Sequence, residues 1–226
     1  MSESGFVTDD LSISYSDDVG VVRKQSMYER RFKRFFDVVG GAVLGLLALP
    51  VVAIIAVAVR VGLGKGVLYS QQRVGRDGAP FTIYKFRTMR PDRRQRELEF
   101  PATEDRRGDH KKSDDPRHTG LGRLLRKFSL DELPQLLNVY RGEMSLVGPR
   151  PEMVGVARQR GYLHHVRHEV KPGMTGPYQV SDLRLNGDLR DGLELDEDYV
   201  NNLTLRNDIR YLIKTITVMF GDSTGS

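Results

Sequence analysis

The run from Val38 to Val59 holds 22 residues without a charged side chain. At about 1.5 Å per residue, a helix of that length reaches roughly 33 Å, enough to cross the hydrocarbon core of a bilayer. A chain that carries it must fold around a membrane anchor, and a spanning signal-anchor is the simplest reading. Two features oppose a plain crossing. Pro50 sits near the middle of the run, where it removes a helix hydrogen bond and kinks the axis. Both flanks are also basic, with Arg30, Arg31, Lys33 and Arg34 before the run and Arg60 and Lys65 after it. The positive-inside rule draws both ends to the cytoplasm. A bent helix that enters and leaves by one leaflet satisfies both features, and the residues alone leave spanning and re-entrant geometries open. Asp37, next to the basic cluster, reads as an interfacial ion-pair partner.

The flanks extend this picture. Residues 27 to 36 interleave four cations with aromatics, which suits a helix lying at a lipid headgroup surface. Residues 1 to 26 carry six serines and paired aspartates, the composition of a disordered tail. They lack the basic-then-apolar order of a signal peptide. The net charge of +5 and pI near 9.4 favour anionic partners: nucleic acid, acidic lipid or a phosphorylated substrate. The chain has no cysteine, which excludes disulfides, thiol catalysis and thiolate metal sites. A length of 226 residues suits one medium domain plus an anchor.

Beyond the anchor, residues 67 to 89 predict a β-hairpin with Asp77-Gly78 in its turn. Alternation puts Lys85 on the face of Phe81 and Ile83, so it either snorkels or is aimed at an anion. From Arg90 to Arg117, 17 of 28 residues are charged with mixed sign, as in a solvated loop. Leu121, Leu124, Leu125 and Phe128 then resume helical spacing.

Ser129-Leu130-Asp131-Glu132-Leu133-Pro134 follows. Ser129 with Glu132 spells a capping box, which accounts for both carboxylates without any function. Pro134 disturbs it, because it falls just past the first free turn. The helix therefore starts later or has a distorted first turn, and either outcome leaves Asp131 more exposed than capping requires. In Gly148-Pro149-Arg150-Pro151 two prolines restrict the backbone around one arginine. If Pro151 opens a helix from Glu152 to about His168, Arg150 sits at its N-terminus, a good anion site. An ordinary turn with an exposed arginine is the plain alternative. Tyr178-Gln179-Val180-Ser181 reads as a short strand after the turn-rich loop 171–177. The last helix gathers Ile209, Leu212, Ile213, Ile216, Met219 and Phe220 on one face. That face closes the core by default, or lies on the membrane surface. The five histidines show no metal-site spacing and read as surface or capping residues. No P-loop, dinucleotide fingerprint or serine elbow is present.

Six motifs occur in one order: Lys33-Arg34-Phe35-Phe36-Asp37, Gln72-Arg73-Val74-Gly75, Tyr84-Lys85-Phe86-Arg87-Thr88-Met89, Ser129-Leu130-Asp131-Glu132-Leu133-Pro134-Gln135, Ser145-Leu146-Val147-Gly148-Pro149-Arg150-Pro151 and Lys171-Pro172-Gly173-Met174-Thr175-Gly176. Over about residues 27 to 220 the chain resembles the bacterial sugar transferases, the monotopic phosphoglycosyl transferases. The resemblance implies an α+β fold, mainly helical with a small β-hairpin. It adds a kinked re-entrant membrane helix and amphipathic interfacial helices. The expected layout is a tail over 1–26, the interfacial and re-entrant helix over 27–64, and a cytoplasmic catalytic domain over 65–226, on a bacterial inner membrane.

The implied reaction moves a sugar-1-phosphate from a UDP-sugar to a polyprenyl phosphate, releasing UMP. Asp131 is the implied nucleophile, held ionised by a helix N-terminus and nearby cations, and Glu132 its partner. Both serve as ligands of Mg²⁺. Lys85, Arg126, Arg150 and Gln179 are implied to bind substrate. Nucleic acid is not an expected partner, and a homodimer is left open. The alternative is a membrane-associated scaffold in which the Asp-Glu pair only caps a helix. Two departures stand out. Leu49 precedes Pro50 where many members have serine, and Pro177-Tyr178-Gln179-Val180-Ser181-Asp182-Leu183-Arg184 replaces a usual Trp-x-Gln-Val-x-Gly-Arg. The chain also reads as a minimal form without the multi-helix N-terminal domain of larger relatives.

Overall fold

The structure, a computed structural model, describes residues 25–90, 117, 119–183 and 192–221. The tail expected over 1–26, up to residue 24, lies outside these residues, as do the charged loop over 91–116 and the segment 184–191 that contains Arg184.

A π-helical turn, Tyr28–Phe32, leads into helix α1, Lys33–Leu63, which runs without a break through Pro50. From Tyr28 to Leu63 this is the one described helix long and apolar enough to cross a membrane. Its two ends pack on the same body. Asp37 and Gly41 are buried near one end, Ile55 and Val59 near the other. Ile55 and Val59 join Phe86 and Leu125 in one core cluster, each such burial contributing about 1.5–3 kcal/mol. Between them Leu46, Leu47 and Leu49 are 74 %, 70 % and 61 % exposed, so the middle of the helix points away from the protein.

Strands β1, Leu68–Val74, and β2, Pro80–Phe86, form the expected antiparallel hairpin, with Gln71 opposite Ile83 and Arg73 opposite Phe81. Asp77 takes a left-handed conformation (φ 55°) in its turn. Both faces of β2 are used. Phe81 and Ile83 enter the main core with Val139, Met144, Leu146 and Tyr199, while Phe86 enters the cluster under α1.

Helix α2, Gly120–Lys127, is capped by Thr119, whose hydroxyl accepts from the Gly122 N–H at 3.0 Å. Leu125 is buried but Leu124 is exposed. A 3-10 turn, Leu130–Gln135, connects to helix α3, Leu136–Arg141. Strand β3, Ser145–Val147, pairs in parallel with β4, Gly173–Thr175. The backbones beyond this pair touch. A Cβ on Gly173 would lie 2.1 Å from the Gly148 nitrogen, and one on Gly176 would lie 2.0 Å from the Gly148 oxygen. Only glycine fits there, which explains two turn-rich motifs on physical grounds.

Several expectations fail. The helix expected over 152–168 is only α4, Val154–Gln159, because Gly161 at φ 73° ends it; a 3-10 turn, Val166–His168, follows later. Pro151 therefore opens no helix and Arg150 is not at a helix N-terminus. Tyr178-Gln179-Val180-Ser181 is a turn closed by Val180 N–H to Gly176 O at 3.2 Å, not a strand. Asp37 does pair with a residue of the basic cluster, Lys33 at 3.5 Å, but it is 1 % exposed and buried in the protein rather than at an interface. His165 caps the 3-10 turn as expected, but His168 is buried rather than at the surface. Helix α5, Leu193–Asn201, precedes the last helix, α6, Leu205–Gly221. Leu212 and Tyr211 of α6 pack on the core, but Ile209, Ile213 and Ile216 are exposed. The apolar face of α6 therefore closes the core only in part, through Leu212.

Candidate active site

The centre of the site is the 3-10 turn. Ser129 precedes it in the left-handed region (φ 52°) with no side-chain cap, a conformation that costs a non-glycine residue about 1 kcal/mol or more. The capping box does not form. The first turn is instead distorted, as Pro134 foretold, and its Glu132 N–H donates to Ser129 O at 3.1 Å. Packing against β2 reverses the expected exposure, because Asp131 is only 9 % exposed.

The two neighbouring carboxylates have opposite environments. Glu132 Oε1 accepts from Lys85 Nζ at 2.5 Å. Lys85 is thus aimed at an anion, and strand alternation had already turned it inward. Burial pushes the Glu132 carboxyl up, but Lys85 and Arg150 outweigh it and hold the group below the ordinary glutamate value. Asp131 goes the other way. Burial pushes its carboxyl up to about 6, and the Glu132 charge adds to this, against Lys85, its own backbone N–H and Arg126. Asp131 is still ionised at neutral pH, as expected, but its carboxyl is raised rather than held low. The helix start here is a six-residue 3-10 turn, and desolvation exceeds the cations.

Lys85, Glu132, Arg150 and Gln179 line one cleft, together with Arg73, Gln135, Gly173 and Met174. The Gln179 side-chain oxygen is buried without a hydrogen-bond partner among the described residues. Asp131 does not line the cleft but sits beside it. Arg126 lies on the Asp131 side, where its Nη1 donates to Thr88 Oγ1 at 3.3 Å. Residues 171–177 and the Gly148-Pro149-Arg150 turn reach the cleft through the β3–β4 pair, with Gly173 N–H donating to Pro149 O at 2.9 Å.

Two contributors escaped the sequence reading. Arg73 faces the cleft because it shares a strand face with Gln71, whose Oε1 accepts from its Nη2 at 2.6 Å, opposite Ile83. The same alternation that placed Lys85 marks it. Arg167, fully buried, donates to the Arg150 carbonyl at 2.6 Å and pairs with Asp196 at 2.9 Å. Nothing in the local sequence signals that role.

Residues 28–222 match the profile of the bacterial sugar transferases. The chain belongs to that family. Among its sugar transferase relatives, the uncharacterized sugar transferase EpsL of Bacillus subtilis is 40 % identical over 185 residues, covering 81 % of this chain and 85 % of that protein. The galactosyl transferase CpsE of Streptococcus agalactiae is 39 % identical over 188 residues, covering 83 % and 42 %. The undecaprenyl-phosphate galactose phosphotransferase of Salmonella typhimurium is 40 % identical over 221 residues, covering 93 % and 46 %. This sugar transferase chain thus spans less than half the length of the latter two relatives.

Proposed function

We propose that the protein transfers a sugar-1-phosphate from a UDP-sugar to a polyprenyl phosphate at the cytoplasmic face of a bacterial inner membrane. The observation that carries this reading is the Asp131–Glu132 pair beside a cleft whose walls bring Arg73, Lys85 and Arg150 together. A pyrophosphate needs cations around it, and the attacking group must be an anion shielded from water.

An Asp131 carboxylate oxygen attacks the β-phosphorus of the donor. The bond from that phosphorus to the bridging oxygen breaks, and UMP leaves with the bridging oxygen and its electron pair. A phosphosugar–aspartate remains. An oxygen of the polyprenyl phosphate then attacks the same phosphorus, freeing the Asp131 carboxylate and forming a polyprenyl diphosphosugar. Lys85 and Arg150 neutralise the diphosphate, Arg126 faces the Asp131 side, and the free oxygen of Gln179 accepts a donor group of the substrate. With its carboxyl near 6, Asp131 is mostly ionised at neutral pH and more basic than an ordinary aspartate.

The described residues contain no cluster of three or more metal-ligating side chains. Two adjacent hard carboxylates still fit Mg²⁺, which is usually held by one or two carboxylates plus substrate phosphates and water. Asp131 and Glu132 would hold it, with Glu132 shared with Lys85. When bound, the ion would supply charge neutralisation on the diphosphate.

The re-entrant form of α1 is part of this reading. Both its ends pack on one body while Leu46, Leu47 and Leu49 point away. A crossing helix would carry Ile55 and Val59 to the opposite side from Asp37. The exposed stripe of Ile209, Ile213 and Ile216 on α6 then rests at the interface.

Membranes carrying the protein, incubated with a panel of UDP-sugars and polyprenyl phosphate, should release UMP with one donor. Without acceptor, donor labelled in its sugar phosphate should leave label on Asp131. Turnover without any label on the protein would replace the two-step route by direct transfer. Undiminished turnover in Asp131→Asn would remove Asp131 as nucleophile.

A further inference from the structure

A second cleft lies at the turn end of the hairpin. Gln72 and Thr82 line this one, with Gly75, Arg76, Gly142, Glu143 and Lys171, in a space of about 440 Å³. Arg73, Ile83 and Lys85 line the other cleft, further along the same strands. Three cations from distant parts of the chain meet at the second cleft. Lys171 Nζ and Arg34 Nη2 come within 3.5 and 3.6 Å of the point where a side chain on Gly142 would begin. Gly142 is at φ 80°, so no ordinary side chain fills that point. Arg76 lines the same space from the hairpin turn.

Helix-end chemistry does not account for this. Arg34 already satisfies the α3 C-terminus, donating to Val139 O at 2.5 Å and to Tyr140 O at 2.8 Å. Lys171 is left half-buried with no hydrogen bond or ion pair among the described residues. Burial lowers its ammonium pKa, and Arg34, Arg76 and Lys33 lower it further against Asp37. The nearby acids are committed elsewhere. Glu143 accepts from Asn138 Nδ2 at 2.7 Å, and Asp37 accepts from Ser145 Oγ and the Leu146 N–H at 2.8 and 3.0 Å. Asp77 pairs with Arg76 at 3.3 Å, but both side chains are exposed and such a pair is weak. A half-buried lysine beside two exposed arginines, itself paired to no acid among the described residues, is a place for an anion.

Its position selects the kind of anion. Arg34 is in the first turn of α1, between Phe32 and Phe35, which are 52 % and 68 % exposed. That is where a headgroup layer meets the protein when α1 enters lipid. We propose that the cleft of Arg34, Arg76 and Lys171 binds a phosphate group supplied by an anionic phospholipid headgroup beside the start of the membrane helix. The site is separate from the reaction cleft and does not depend on the proposed reaction.

The test uses the full chain in vesicles and reads no catalysis. An amine-reactive ester labels Lys171, and its labelling rate is followed by peptide mass spectrometry against exposed Lys127 as internal reference. Adding phosphatidylglycerol to phosphatidylcholine vesicles should slow Lys171 labelling several-fold, with Lys127 less affected. Arg76→Gln, at an exposed position, should lose part of that protection. Equal labelling with and without phosphatidylglycerol, and no effect of inorganic phosphate, would overturn the site. Full protection by inorganic phosphate in pure phosphatidylcholine vesicles would keep the phosphate site but overturn the lipid as its source.

Discussion

Two ionic groups inside the fold are built to opposite rules. Under the start of α1, Lys33 Nζ donates to Ser145 Oγ at 2.5 Å and Val147 O at 3.0 Å, and pairs with Asp208 at 2.8 Å. Asp208 also accepts from the Tyr28 and Tyr199 hydroxyls at 2.7 and 2.8 Å. Each charge in this hub has fixed partners. In the proposed reaction cleft, Lys85 and Glu132 are paired, but Asp131 beside them is desolvated and has its carboxyl pushed up. Charge count does not separate a structural network from a reactive one. Satisfaction of each group does.

Replacing the central charge in each group should split function from stability. Asp131→Asn should lower UMP release by a factor of about 10³ or more, as loss of a covalent nucleophile does, while the unfolding midpoint does not fall. A loss below tenfold would move the nucleophile elsewhere. Lys33→Met should destabilise by about 3–5 kcal/mol, because it strands Asp208 in the interior. Denaturant unfolding in detergent measures this, and a change near zero would erase the contrast between the two groups.

The next effect has a pH signature. The folded protein holds the Asp131 proton up to about pH 6, whereas the ordinary value is 3.8. The proton is bound more tightly when folded, so stability is present below pH 4 and lost as pH rises through 6. With EDTA present, Asp131→Asn should therefore gain stability over the native chain between pH 4 and 6. The gain should level off at about 3 kcal/mol above that range. A gap independent of pH would contradict the desolvated carboxyl. Smallest is Tyr199→Phe, which removes the hydroxyl that reaches Asp208 and Val147 O. It should cost about 1–3 kcal/mol, with KM and kcat for donor unchanged.

The sequence was most readable where a period fixes direction. Alternation along Phe81-Thr82-Ile83-Tyr84-Lys85 turned Lys85 inward, and the Ser129–Gln135 motif placed the carboxylates at a turn. Strands of three residues have no period to read, so β3 and β4 went unseen. Their pairing depends on Gly148, Gly173 and Gly176, which read as turn formers. Gly161, at φ 73°, stops the helix begun at Val154, a signal that a reading started from Pro151 passes over. Burial of Asp131 depends on β2 packing over the turn, a long-range contact that spacing does not encode. Periodicity also cannot say whether Ile209, Ile213 and Ile216 meet a core or lipid, because both are apolar.

The hub under α1 also sets an order on biosynthesis. Asp37 bonds to Ser145, 108 residues later in the chain. At 5–20 residues per second, the helix leaves the ribosome roughly 5–20 s before that partner exists. During the wait Lys33 and Asp37, one helical turn apart and 3.5 Å apart when folded, have chiefly each other. On the proposed membrane reading, insertion into lipid comes first, and the water-facing body assembles afterwards onto a helix already in place.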